Sequence, residues 1–281
     1  TAAVGELRTQ YGSWALIAGA SEGIGEAFAR QLAGQGINLV LLSRSQKKLD
    51  RLQQSLVVDY RVETKTIAVD LTADDLLEQV VSATEGIDVG LLIYNAGAVH
   101  GAGYFLDDPL DKALGLVALN CRGPVLLAHH FGAAMRERKR GGMIFLSSMA
   151  AYAGGAYIAT YAATKSFDII FAQSLWHEMA QYNVQVLGLV AGATKTPAMA
   201  ASGIDFDAAE QAGNFAAMDP AEVAAEGLAQ LAHGPIWIVG DNNRGNAELF
   251  SSLSRADAVE AMSSASAKMY GKPHVSVAAS D

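Results

Sequence analysis

The stretch Trp14-Ala15-Leu16-Ile17-Ala18-Gly19-Ala20-Ser21-Glu22-Gly23-Ile24-Gly25 changes character twice within one short span. The run from Trp14 to Ala18 is apolar and reads as a strand buried on both faces. Glycines at 19, 23 and 25 then break the pattern. After them Ile24, Ala27, Phe28 and Leu32 recur at the three- and four-residue intervals of a helix face. A strand, a glycine-rich turn and a helix start make an anion site, because unpaired N–H groups and the helix dipole converge there. The spacing is Gly-x-x-x-Gly-x-Gly and not Gly-x-Gly-x-x-Gly, so read alone it also fits a tight structural turn.

The same alternation continues outward. Branched apolar runs occur at Leu39 to Leu42, Thr66 to Val69, Leu91 to Tyr94, Met143 to Leu146, Val184 to Val190 and Ile236 to Val239. Longer helical spacings lie between them, such as Leu49, Leu52, Leu56. Strands with few polar positions, separated by helices, predict an α/β fold: a single Rossmann-type, doubly wound parallel sheet of about seven strands with helices on both faces. Residues 1–240 read as this domain. Residues 241–281 turn polar and serine-rich, and read as one helix followed by a poorly packed tail of the same domain.

The 281 residues, 51% hydrophobic with 28 glycines, suit a well-cored, turn-rich protein. A formal net charge of -9 argues against nucleic acid or an anionic membrane as the main partner. No apolar run is long enough for a membrane span, and the single cysteine, Cys121, suits a cytoplasmic location. Cys121 reads as a small core residue, and the adjacent His129 and His130 point to different helix faces, so no metal site is expected.

The segment Tyr157-Ile158-Ala159-Thr160-Tyr161-Ala162-Ala163-Thr164-Lys165 spaces two tyrosines and a lysine at four-residue intervals, which places all three along nearly one face of a predicted helix. A tyrosine, with a pKa of about 10 in water, needs a nearby positive charge to exchange its proton at neutral pH. Lys165 brings that charge to Tyr161. Tyr157 has only Tyr161 at its fourth following position. The run Ile144-Phe145-Leu146-Ser147-Ser148 delivers two hydroxyls to a strand end, where parallel sheets place their ligand crevice, although either serine can simply cap the next segment.

Together these motifs resemble the short-chain dehydrogenase/reductase family over roughly residues 12–240: Gly19/Gly23/Gly25, the turn Asn95-Ala96-Gly97, a serine 13 residues before the tyrosine, and Tyr161-x-x-x-Lys165, in that order. That interval selects Ser148 over Ser147. The resemblance implies a catalytic set of Asn120, Ser148, Tyr161 and Lys165, with Asn120-Cys121-Arg122-Gly123 matching the family's Asn-x-x-Gly. It implies cofactor contacts from Gly19, Ser21, Gly23, Ile24, Gly25, Ser43, Arg44, Asp70, Leu71, Asn95, Ala96, Gly97, Tyr161, Lys165 and Thr196. Ala18, Tyr94 and Ala191 depart from the family's usual threonine, asparagine and proline; the first removes a hydroxyl that braces the glycine loop.

By the same resemblance the reaction is hydride transfer between a nicotinamide and a hydrophobic ketone, aldehyde or alcohol. Ser148, Tyr161, Met199 and Phe206 would meet the substrate, and Met199, Ile204, Phe206, Phe215 and Met218 would form an apolar lid. Reduction of a 3-oxoacyl thioester is the alternative, with Arg136 to Arg140 as either a solvated helix end or a dock for an acidic carrier. A nucleotide-binding regulator on the same fold is the non-enzyme alternative. Arg44 stands at the end of the second strand where no carboxylate occurs, so NADP(H) is expected over NAD(H). The helices around 114–135 and 160–180 are the ones that pair in family members, which implies a homodimer or homotetramer.

Overall fold

The computed structural model of the protein describes residues 5–97, 101–202, 204, 206 and 217–277. Seven strands, β1 (Trp14–Ala18), β2 (Asn38–Ser43), β3 (Thr64–Ala68), β4 (Val89–Tyr94), β5 (Gly141–Ser148), β6 (Val184–Ala191) and β7 (Ile236–Ile238), pair in parallel in the order β3-β2-β1-β4-β5-β6-β7. The helices are α1 (Glu6–Tyr11), α2 (Gly23–Gly34), α3 (Gln46–Tyr60), α4 (Leu76–Ala83), α5 (Leu110–Val117), α6 (Gly123–Arg138), α7 (Ala159–Ala180), α8 (Pro197–Ala201), α9 (Pro220–Gln230), α10 (Asp241–Ser252) and α11 (Arg255–Met269). A π-helical turn, Ala118–Arg122, joins α5 to α6.

Alternation along β1 shows why the strands lack polar positions. Ala15 and Ile17 face a core shared with Phe28 and Leu32 of α2 and Val223 of α9. Leu16 and Ala18 face the opposite core, with Val80 of α4, Phe131 and Met135 of α6, and Ala172 of α7. Both faces are thus covered, as in a doubly wound sheet. Packing is close: a Cβ on Gly227 of α9 would lie 2.6 Å from Leu189 and 3.1 Å from the Phe28 ring. That contact seals Phe28, whose burial is worth about 3 kcal/mol.

The strand order reverses between β1 and β4, so the loops leaving these strands splay apart and open a crevice at their carboxyl ends. The expected strand runs are all present, and β5 extends far enough to hold both Ser147 and Ser148. The C-terminal region differs from its reading as one helix and a loose tail. It forms two helices, and α11 buries Ala258, Met262, Ser263, Ser266 and Ala267. Apart from Met262, small residues and serines make this buried face, so apolar periodicity does not reveal it: Ser266 donates to the Met262 carbonyl at 2.9 Å and Ser263 accepts the Ala156 N–H at 3.0 Å. Among the described residues no helix is long and apolar enough to cross a membrane.

Candidate active site

The glycine loop folds back across the end of β2, with the Gly19 and Ala20 N–H groups both donating to the Leu42 carbonyl at 2.9 and 3.0 Å. Gly25, at the start of α2, lies so close to the loop that a Cβ there would sit 1.9 Å from the Gly19 carbonyl oxygen. The brace lost with a threonine at position 18 is supplied by Asn95, whose Nδ2 donates to that same oxygen at 2.9 Å. Glu22 leaves the N-terminus of α2 uncapped by any side chain, so its amides face the crevice. Ser21 and Ser43 are hydrogen-bonded at 2.7 Å, tying the loop to the end of β2, where Arg44 is exposed. Glu22 is ion-paired with Lys48. Asp70 accepts from the Thr72 N–H and hydroxyl, which hold its carboxyl below the usual range, and it also feels Arg44. Leu71 is buried beside it.

On the other side of the crevice, Tyr161 and Lys165 are carried by the first turns of α7. Tyr157 is not on that helix. Its φ of +71° ends the preceding segment in the left-handed region, and α7 begins only at Ala159. The expected alignment of three side chains on one helix face therefore reduces to two. The Tyr157 hydroxyl instead bonds to that of Tyr104 at 2.9 Å and to the Pro273 carbonyl, pinning the C-terminal segment. Ser147 donates to the Lys165 carbonyl at 2.7 Å and so fastens β5 to α7. Ser148 accepts the Ala150 N–H at 3.2 Å and also lines the cleft, so it caps and faces the site at once.

Lys165 is 3% exposed and donates to the Leu146 carbonyl at 2.8 Å and to Asp168 Oδ2 at 3.1 Å. Burial alone would discharge it, but Asp168, then the Tyr161 oxygen, more than offset this and raise its pKa above the ordinary lysine value. Burial pushes the Asp168 carboxyl up to about 6 against the pull of Lys165, so at neutral pH the two form a buried ion pair. Asn120, 1% exposed in the π-helical turn, donates through Nδ2 to Thr164 at 2.9 Å, while its Oδ1 has no hydrogen-bond partner. A Cβ on Gly97 would lie 2.6 Å from that Oδ1 and 3.0 Å from Lys165 Nζ, so both atoms border the space this glycine leaves.

Ser148, Tyr161, Lys165 and Gly97 open onto one cleft of about 880 Å³, which Ile24 at the start of α2 and Thr196 also line. Its far wall comes from Met149, Met199, Phe250, Met262, Met269 and Tyr270. Thr196 also caps α8 by accepting the Met199 N–H at 3.2 Å. Phe206, expected against the substrate, is half-buried but does not line the cleft; Phe215 lies outside the described residues. The wall assigned to it is built from α10 and α11. The loop with glycines at 19, 23 and 25, the uncapped helix start and the orphaned Asn120 oxygen fit a nicotinamide dinucleotide lying across the crevice. Among the described residues no group of His, Cys, Asp and Glu could hold a metal ion.

The family described as short chain dehydrogenase matches residues 13–205. The chain belongs to the short-chain dehydrogenase family. It is therefore an oxidoreductase of hydroxyl and carbonyl groups. It is 29% identical to the 7beta-hydroxysteroid dehydrogenase of Clostridium sardiniense over 253 residues, covering 90% of this chain and 95% of that one. It is 37% identical to the very-long-chain 3-oxoacyl-CoA reductase of Podospora anserina over 179 residues, which cover 62% of this chain and 53% of that one. A solved short-chain dehydrogenase from Sphingobium yanoikuyae in complex with NADPH superposes with a TM-score of 0.73 at 26% identity, over 86% of this chain and 97% of that one.

Sequence reasoning missed Asp168 and the wall residues Phe250, Met262 and Tyr270 of this short-chain dehydrogenase. A signal for Asp168 was present: a lone carboxylate among Phe167, Ile169, Ile170 and Phe171, one turn after Lys165.

Proposed function

We propose that this chain is an NADP(H)-dependent oxidoreductase that interconverts a bulky hydrophobic ketone and its secondary alcohol. The observation that carries this reading is the single cleft in which the Ser148 and Tyr161 hydroxyls face an apolar wall built by α10 and α11. The similarity to the 7beta-hydroxysteroid dehydrogenase covers nine-tenths of this chain, whereas that to the 3-oxoacyl-CoA reductase covers under two thirds. A rigid alicyclic body, of the size of a steroid, suits such a walled cleft better than an open-ended acyl chain.

In this reading Tyr161 gives its proton to the carbonyl oxygen during reduction and takes it back during oxidation. Ser148 donates a hydrogen bond to the same oxygen and stabilises the charge that develops on it. Lys165, kept cationic by Asp168, sits beside the phenol and would hold the nicotinamide ribose. Asn120 Oδ1 accepts from a water next to Lys165, through which the proton on Tyr161 is replenished. The chemistry the cofactor supplies is hydride to the carbonyl carbon. Turnover of steroid-sized cyclic ketones against 3-oxoacyl thioesters and short ketones, with NADPH and NADH, tests the reading. Preferred turnover of the thioesters would replace it with the acyl alternative.

Preference for NADP(H) rests on Arg44. Its guanidinium can make paired charge-assisted bonds to a 2′-phosphate, and the Glu22 carboxylate is offset by Lys48. Arg44→Ala should cut kcat/KM for NADPH by about 10- to 150-fold and leave that for NADH nearly unchanged. Equal use of both cofactors by the native protein would exclude this role.

The reading includes a homodimer or homotetramer through α6 and α7. Leu114 and Val117 before α6, Val125 on it, and Ile170 and Trp176 on α7 are exposed apolar side chains. Light scattering at micromolar concentration should return at least twice the mass of one chain; the mass of a single chain would refute the assembly.

A further inference from the structure

We propose that Tyr94 is a positioning residue: its hydroxyl, wedged where Gly123 has no side chain, stabilises the π-helical turn that aims Asn120 at Lys165. The inference rests on the role proposed above for Asn120.

The turn has a cause in the sequence. Pro124 has no N–H, and its ring crowds the carbonyl four residues earlier, that of Asn120. A regular helix cannot run through this point, and the Gly123 N–H donates to the Ala118 carbonyl, five residues back. Leu119 is left stranded. Its carbonyl would pair with the Gly123 N–H in an α-helix and with the residue 124 N–H in a π-helix; the first is taken and the second does not exist. The Tyr94 hydroxyl fills the gap, donating to the Leu119 oxygen at 2.6 Å.

Tyr94 ends β4, a strand with every residue buried, and is itself 2% exposed, so its hydroxyl must find an acceptor inside the protein. The wedge also needs Gly123, where a Cβ would lie 2.1 Å from the Tyr94 hydroxyl oxygen. Strand end and helix turn therefore fit only as a pair. Asn120 follows Leu119 directly. With Nδ2 held by Thr164, the position of its Oδ1 beside Lys165 depends on where this backbone turn lies. Tyr94 does not line the cleft, so it acts through the turn that carries Asn120.

Tyr94→Phe removes the hydroxyl and keeps the ring. Expected are a fall in kcat of about tenfold or more, an NADPH dissociation constant by fluorescence titration within about twofold of native, and a larger solvent deuterium isotope effect on kcat as proton delivery slows. In an Asn120→Ala background the same change should cost no further kcat, because both act on one proton route. Native kcat and isotope effect in Tyr94→Phe, with Asn120→Ala slow, would overturn the inference and leave the role of Asn120 standing. Equal losses from Tyr94→Phe with and without Asn120 would overturn it too, since the hydroxyl would then act through general packing. Native turnover by Asn120→Ala would instead remove the reading of Asn120 itself, and this inference with it. If Tyr94→Phe does not fold, Gly123→Ala, which displaces the hydroxyl without deleting it, should show the same isotope effect and the same non-additivity; native values there would overturn the inference.

Discussion

Tyr161→Phe is expected to lower turnover by about 10²- to 10⁴-fold, the range that a positioned acid–base group contributes. The phenol is half-buried at the mouth of α7 and opens onto the same cleft as Ser148. Its ring packs with Ile158, Ala162 and Met262, so the ring of phenylalanine keeps those contacts and only the exchangeable proton is lost. Thermal stability should change little and cofactor affinity should persist. A variant that keeps more than about a tenth of native turnover would assign the proton step to another group.

Lys165→Met is expected to lose activity and also to destabilise the fold by about 3–5 kcal/mol, because it strands the Asp168 carboxylate, itself 3% exposed, without its partner. The sign of the pH dependence follows from the raised pKa of Asp168. In the native protein the stability linked to this group is fully present below the ordinary carboxylate range and is lost as pH rises through about 6. Without Lys165 the carboxyl rises further. The deficit of the variant in urea unfolding should therefore be smallest below about 6, where Asp168 is protonated in the native protein as well, and grow as pH rises from there. Lys165→Met with Asp168→Leu should recover most of the stability and none of the activity. A deficit independent of pH, or no recovery in the double variant, would show that the pair does not carry this energy.

Much of the fold is legible because it depends on local rules. The apolar run Trp14 to Ala18, the three glycines and the spaced apolar face of α2 each point to one conformation, and the order of motifs points to the family. Ser148, Tyr161 and Lys165 could be named because they sit on regular elements next to recognisable spacings, whereas Asn120, in the π-helical turn, could be named only from its Asn-x-x-Gly match to the family. What escaped depends on features without a period. Tyr157 leaves the helix through one backbone angle, which its spacing from Tyr161 does not reveal. Apart from Met262, the buried face of α11 is built from Ala and Ser, with the serine hydroxyls satisfied by backbone groups, so it carries little apolar periodicity. Asp168 is buried against Lys165, and that pairing shows only in the packed structure. The stranded Leu119 carbonyl is visible only once Pro124 and Tyr94 are brought together in space.

Hydride transfer is tested most simply with a cofactor in which both hydrogens on the reactive carbon of the nicotinamide are deuterium. Purified protein is incubated with labelled NADPH and a steroid-sized cyclic ketone, and the alcohol is analysed by mass spectrometry. Deuterium is expected on the carbinol carbon, formed by the native protein at a rate that Tyr161→Phe lowers by about 10²-fold or more. Tight binding of NADPH with no label passing to any carbonyl compound would contradict hydride transfer, and would mark the chain as a nucleotide-binding protein without turnover.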